Sequence, residues 1–263
     1  MLSEKYQQLC ESVVKAAEEE LLGRFKQVEP SLKSDGSMVT TADLAMHHRI
    51  REVLSDDYPG CGFLSEEMPV AEQEKTLASP GLEVWVLDPL DGTSNFAMGI
   101  PYFAVSLALI RDQSVSFALV HDPVRRETFY AQQGRGAWLN RERLGSRVPH
   151  TPLARGIGLV DFKRLPADLA RRLATNPPYA SQRSFGAVAL DYCWVAAGRG
   201  HVYLHGRHKL WDYAAGLTIL HGAGGHSVNL EGVRTPPMNL QPRSCAAALS
   251  PTLFSEWRNW LGI

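Results

Sequence analysis

Trp85-Val86-Leu87-Asp88-Pro89-Leu90-Asp91-Gly92-Thr93-Ser94-Asn95-Phe96 is the most informative stretch of this chain. The apolar run from Glu83 to Leu87, bounded by Gly81 and Pro89, reads as a buried strand that delivers Asp88 to its end. Asp91 follows three residues later, so two carboxylates meet at one strand end, where burial is costly without a cation between them. Oxygen ligands of this hard kind suit Mg2+. Gly92-Thr93-Ser94 then reads as a helix opening, whose free N–H groups and dipole offer a cradle for phosphate. Taken alone, the same residues also fit a strand followed by a solvated Asp-Gly turn.

Upstream of this stretch, Tyr6, Leu9, Val13, Val14, Ala17, Leu21 and Phe25 recur at spacings of three and four, which predicts an amphipathic helix over 6–25. A second helix is predicted from Thr40, where Thr40 and Asp43 fit a capping box and Leu44, Ile50, Val53 and Leu54 share a face. Lys33 to Ser37, between the two, reads as a polar loop. Downstream, strands are predicted at 103–109, 115–120, 127–131 and 136–139. The basic, proline-containing stretch from Arg141 to Gly156 is the expected junction between two sub-halves, about 1–145 and 146–263, of one domain spanning 1–263. Beyond it, strands at 157–160, 201–204 and 245–249 alternate with helices at 166–174, 186–197 and from Asp212, with a closing helix at the end.

The whole chain narrows the function classes. Its 263 residues are 44% hydrophobic and 21% charged, enough for a substantial core. The 27 Lys and Arg against 28 Asp and Glu give a net charge of -1, so no global field draws the chain to nucleic acid or an anionic membrane. The charged N-terminus lacks the apolar run of a signal peptide or membrane span, which predicts a soluble, cytoplasmic protein. Cys10, Cys61, Cys193 and Cys245 are scattered and read as reduced thiols.

Other metal readings of the central stretch fail on spacing. A calcium loop needs Glu at its twelfth position, which counted from Asp88 is Gly99. The Asp-x-Asp-Gly-Thr pattern of haloacid-dehalogenase-type phosphatases has one residue between its aspartates, whereas Pro89 and Leu90 make two. His201, His205 and His208 have no recognised zinc-ligand spacing.

Three motifs in order give the chain a family resemblance. Gly62-Phe63-Leu64-Ser65-Glu66-Glu67, the central stretch, and Leu210-Trp211-Asp212-Tyr213-Ala214-Ala215-Gly216 followed by Gly222-Ala223-Gly224-Gly225 resemble the motifs of the inositol monophosphatase family, lithium-sensitive and Mg2+-dependent phosphatases. The resemblance covers almost the whole chain and implies a layered α-β-α-β-α sugar-phosphatase fold of the α/β (α+β) class. It implies a metal-dependent phosphoric monoester hydrolase with two or three Mg2+ ions per site. Glu66, Asp88 and the Leu90 carbonyl would hold the metal that activates water; Asp88, Asp91 and Asp212 would hold a second, and a third would lie near Glu66. Thr93 matches the threonine that orients the water and Asp43 the carboxylate behind it. Gly92 and Thr93 would donate to the phosphate. Gly186 and Ala187 match the substrate pocket, and Lys33 falls where the family often has a lysine. Glu67 is not counted as a ligand. A homodimer is also implied.

One departure bears on the substrate. Seven residues before the last metal aspartate, where family members that act on inositol phosphates carry a Glu that binds substrate hydroxyls, this chain has His205. The surrounding run from Tyr203 to Lys209 is basic, which suits a second anionic group as well as it suits a solvated loop. The expected reaction is hydrolysis of an inositol-1-phosphate-like sugar or polyol phosphate, the expected partner a small phosphorylated substrate. The alternatives are a 3'(2'),5'-bisphosphate nucleotidase, a fructose-1,6-bisphosphatase, or an RNA-polymerase or ribosome-assembly partner that retains the fold.

Overall fold

The structure, a computed structural model, describes residues 2–27, 30–32, 36, 38–79, 81–145, 151–234 and 238–263. In chain order these form α1 (Glu4–Glu20), β1 (Ser31–Leu32), β2 (Met38–Val39), α2 (Thr41–Asp57), β3 (Gly62–Ser65), α3 (Val70–Leu77), β4 (Val84–Asp91), α4 (Thr93–Ala97), β5 (Ala104–Arg111), β6 (Ser114–Asp122), β7 (Glu127–Gln132), β8 (Gly136–Leu139) and β9 (Glu142–Arg143). There follow β10 (Ile157–Asp161), α5 (Ala167–Thr175), β11 (Ser181–Arg183), α6 (Val188–Ala196), β12 (Val202–His208), α7 (Leu210–Gly222), β13 (His226–Val228), β14 (Arg243–Ala248) and α8 (Pro251–Leu261).

Two large sheets organise the molecule. The first runs β3-β4-β5-β6-β7-β8-β9, the second β11-β10-β12-β14-β13. Among the described residues only β3 with β4, and β10 with both β11 and β12, pair in parallel. Alternation along β4 sends Trp85 and Leu87 into a core shared with α1 and α2, and Val84 and Val86 into a core shared with α6 and α7. A third core, built on Leu204, Ala246 and Trp257, joins the outer face of the second sheet to α5 and α8. The layers are therefore α-β-α-β-α, as expected, and helices on both faces explain why β4 is buried along its whole length.

The bulge in β4 decides where the carboxylates point. Asp88 pairs with Ser106 and Asp91 with Ala104, so three steps on β4 face two on β5. In a regular strand residues three apart face opposite sides; the extra residue, next to Pro89, restores parity and turns Asp91 to the face of Asp88. That face looks toward α7, and Ser106, opposite Asp88, donates to the Trp211 carbonyl at 3.2 Å.

Several expectations are corrected in detail. The first helix ends at Glu20 and tightens into a 310 turn at Leu22–Arg24, so Phe25 lies outside it; Gly23 lowers the helical propensity there. Leu44 is 44% exposed and does not share the buried face of Ile50 and Leu54. Asp212 is the third residue of α7, whose N-cap is Lys209. α3 and the short β9, β11 and β13 were not legible. Parts of the predicted loop (33–35 and 37) and of the junction (146–150) lie outside the described residues. All four cysteines are free thiols, and among the described residues no helix is long and apolar enough to cross a membrane.

Candidate active site

Four carboxylates from three elements meet at the inner end of β4. Asp88, 2% exposed, accepts from the Leu90 N–H at 3.0 Å. Asp91 accepts from the first amides of α6, Val188 N–H at 3.1 Å and Ala189 N–H at 2.7 Å. Asp212 accepts from the Lys209 N–H at 2.7 Å, closing the first turn of α7. Glu66 follows β3, where its N–H bonds the Leu87 carbonyl at 3.1 Å and carries it beside Asp88. Burial pushes Asp88 well above the usual carboxylate range, and Glu66, Asp91 and Asp212 push it further. Asp91 is raised in the same way by burial and then by Asp212. Asp212 is partly buried; burial brings it up to about 6, against the hydrogen bond from the Lys209 amide and the positive charges of Lys209 and Arg164.

The donor set fits Mg2+. Among the described residues no three His, Cys, Asp or Glu side chains form a ready-made metal cage, and backbone amides hold one or both oxygens of each aspartate. Mg2+ asks for no such cage: it keeps several waters and takes one or two carboxylates beside phosphate oxygens. The Leu90 carbonyl, in the bulge, would add a neutral oxygen to such a set.

Beside the carboxylates, Thr93 stands between two acceptors, Asp43 Oδ1 at 3.1 Å and the Leu90 carbonyl at 3.0 Å. Asp43 does double duty: its Oδ2 accepts from the Thr40 N–H at 2.7 Å and the Thr40 hydroxyl at 2.6 Å, completing the capping box of α2. Burial raises Asp43, the Thr40 hydrogen bonds oppose it, and Glu67 adds to the rise. Gly92 has φ of +92°, and a Cβ there would lie 3.0 Å from the Tyr102 carbonyl and 3.2 Å from the Ala187 Cβ. Only glycine fits so close to the Gly186-Ala187 loop.

These geometries agree with a known family. A sequence model of the inositol monophosphatase family matches residues 2–259. The chain belongs to this family. With it, the chain is a metal-dependent phosphoric monoester hydrolase. It is 35% identical over 230 residues to an inositol-1-monophosphatase of Rhizobium meliloti (strain 1021), covering 81% of this chain and 80% of the relative. It is equally 35% identical over 215 residues to the Nus factor SuhB of Pasteurella multocida (strain Pm70), covering 80% and 78%. The crystal structure of the extragenic suppressor protein suhB from Bartonella henselae is similar at a TM-score of 0.82, with 27% identity over 98% of each chain.

Of the inositol monophosphatase residues expected from sequence, Asp43, Glu66, Asp88, Leu90, Asp91, Gly92, Thr93 and Asp212 are brought together, with Ala187 against Gly92 and Gly186 against Asn95. His205 lies across the second sheet and has both ring nitrogens engaged: Nδ1 accepts from the Arg207 N–H at 3.2 Å, and Nε2 donates to Asp161 Oδ2 at 3.1 Å. His201 Nδ1 accepts from the Ile157 N–H at 3.1 Å. Lys33 lies outside the described residues. Sequence reasoning missed Asn95, whose Nδ2 donates to the Tyr102 carbonyl at 2.8 Å and the Phe185 carbonyl at 2.7 Å and so fastens the Gly186 loop to the central stretch. It also missed Gln73, 2% exposed, whose Nε2 donates to the Ser65 carbonyl at 2.8 Å and the Met68 carbonyl at 3.1 Å around the turn that bears Glu66. Asn95 lies inside the quoted stretch and had a position to flag it; Gln73 had no signal.

Proposed function

We propose that this chain hydrolyses a small monoester of a sugar or polyol phosphate by Mg2+-dependent attack of water. The observation that carries the reading is that Glu66 and Asp212, both partly exposed, stand close enough to the buried Asp88 and Asp91 to raise Asp88 together. Two carboxylates about 4 Å apart at an effective dielectric of about 20 repel by roughly 4 kcal/mol, which exceeds the ~1 kcal/mol that a helix cap contributes. A purely structural role for the cluster would therefore be a net loss to the fold.

Glu66, Asp88, the Leu90 carbonyl, Asp91 and Asp212 are the groups that would hold Mg2+. When bound, Mg2+ supplies charge compensation for the phosphate oxygens and lowers the pKa of the attacking water. Thr93 orients that water: its single proton goes to Asp43 or to the Leu90 carbonyl, which leaves its lone pairs to accept from the water. Asp43 is fixed for this task by the two bonds from Thr40. The N–H groups of Gly92 and Thr93 hold the phosphate, and Gly186, Ala187 and the His205 region face the alcohol. Phosphoryl transfer needs mainly positioning and electrostatics, so this set suffices without a covalent nucleophile. Two or three ions per site and a homodimer belong to the same reading through the family resemblance, and a cytoplasmic location is part of the same proposal.

The test is phosphate release with and without Mg2+ from myo-inositol 1-phosphate, glycerol 2-phosphate, fructose 1,6-bisphosphate and adenosine 3',5'-bisphosphate, with Asp88→Asn as the blank. Mg2+-dependent release that the variant abolishes supports the reading, and release equal in the variant refutes it. The name Nus factor carried by the Pasteurella relative supports a second reading, an RNA-polymerase or ribosome-assembly partner. In that case Asp88→Asn would keep the association while losing hydrolysis.

A further inference from the structure

β10 and β12 are parallel neighbours, and Asp161 and His205 are the last pair in register between them: β10 ends there, while β12 runs on to His208 against β14. Ligands of open α/β sheets sit outside such carboxyl ends. Here the same end leads, through the irregularity between His205 and His208 and then Lys209, into the first turn of α7, where the Lys209 N–H donates to Asp212 at 2.7 Å, so the strand end and the carboxylate cluster are joined by one short stretch of backbone.

His205 has nothing left to offer a ligand. Its side chain is 7% exposed, and with Nδ1 accepting from the Arg207 N–H the proton lies on Nε2, committed to Asp161. Asp161 is the member of the pair that faces outward: its side chain is 33% exposed. Oδ2 takes one hydrogen bond from His205 and Oδ1 one from the Lys163 N–H at 3.0 Å, so each oxygen keeps a lone pair for a donor from outside. The backbone that carries it is locked. A Cβ at Gly206 would fall 1.8 Å from the Arg164 carbonyl, so the 310 turn Phe162–Arg164 is pressed against β12 with no room for a side chain between them. Burial pushes the Asp161 carboxyl up, but the His205 hydrogen bond, the Lys163 amide and Arg164 outweigh it and hold the group below its ordinary value, hence ionised.

We infer that Asp161 is the specificity-determining residue of this phosphatase: its carboxylate accepts a hydrogen bond from a free hydroxyl on the alcohol part of the substrate, and His205 is the positioning residue that holds it there. An acceptor of this kind selects a hydroxyl or an ammonium group. Lys163, Arg164, Arg207 and Lys209 are all exposed on the same rim, and that positive surround disfavours an ammonium group. The ligand class is therefore a hydroxylated phosphate ester, a polyol or a sugar. The carboxylate that recognises it stands one strand away from position 205. This inference rests on the phosphatase reading above.

The experiment compares glycerol 2-phosphate, which carries free hydroxyls, with phenyl phosphate, which carries none, in the presence of Mg2+. The readout is the ratio of the two kcat/KM values in the wild type and in Asp161→Ala, Asp161→Asn, His205→Ala and His205→Gln. A hydrogen bond from a neutral donor to a charged acceptor predicts that both Asp161 variants lower the ratio roughly 10- to 100-fold. Asp161→Asn keeps the side-chain volume, so the result stands even if the alanine variant folds poorly. His205→Ala lowers the ratio in the same direction, and His205→Gln restores it, because a glutamine amide can donate to Asp161 while its oxygen accepts from Arg207. A ratio within about twofold of wild type in the Asp161 variants, including a parallel loss on both substrates, overturns the inference and leaves the phosphatase reading standing. Absence of Mg2+-dependent turnover of either ester by the wild type overturns both.

Discussion

Thr93 has one hydroxyl proton and two acceptors within reach, and that surplus gives the residue its value: whichever acceptor takes the proton, the oxygen is left to receive one. Thr93→Val keeps the shape and removes the hydroxyl. It should lower kcat by roughly 100-fold or more, the range of a lost general acid–base or orienting group, with a smaller effect on KM, read from initial rates of Mg2+-dependent phosphate release. An unchanged kcat would remove Thr93 from the water path. At this scale much was legible. Asp88 and Asp91 stood out because paired carboxylates after an apolar strand have few uses other than a cation, and Asp43 because a capping position is visible in sequence. The engagement of both His205 nitrogens was not legible, since its partners Arg207 and Asp161 depend on a strand irregularity and on a register set across β10 and β12.

The elements turn those residues toward one another. Reading β4 as ending at Leu87 was reasonable because proline removes a ladder donor, yet the strand continues to Asp91 by spending Pro89 on a bulge. α6 holds Asp91 with its first two amides and also carries Asp191, whose Oδ1 accepts from the Tyr102 hydroxyl at 2.9 Å. Burial pushes Asp191 up to about 7, against that hydrogen bond. A carboxyl raised above its unfolded value lets the native state hold the proton longer. Its contribution to stability is therefore full below about pH 4 and is lost as pH rises through about 7. Asp191→Asn removes this titration while keeping an acceptor for Tyr102. Denaturant unfolding should show the variant close to wild type near pH 4 and more stable at pH 8, by at most about 4 kcal/mol for a shift of about three units. A variant equally stable or weaker at pH 8 would mean that Asp191 is ionised in the native protein without penalty. α3 escaped the sequence reading for a physical reason: of its eight residues only Gln73 is buried, so there is no apolar stripe to detect.

Across the whole molecule, α6 and α7 form the middle layer between the two sheets, and the site depends on their separation: α6 fixes Asp91 from its N-terminus and α7 carries Asp212 in its first turn. Family motifs made the order of these helices legible, but not how closely they approach. Gly216 sets that distance. A Cβ there would lie 2.8 Å from the Tyr192 Cβ and 2.9 Å from the Ala189 carbonyl, both on α6 and neither able to rotate away. Gly216→Ala gains about 1 kcal/mol of helix propensity but forces two packed helices apart, an overpacking cost of about 1–3 kcal/mol. The clash should win because the atoms that must move belong to backbone and Cβ. The net loss of up to about 2 kcal/mol predicts a melting temperature lower by up to roughly 8 °C for a chain of this size, together with a higher Mg2+ concentration for half-maximal activity, since Asp212 would move away from Asp91. A variant that melts at or above the wild-type temperature with an unchanged Mg2+ response would show that the α6–α7 layer yields locally and does not set the geometry of the carboxylates.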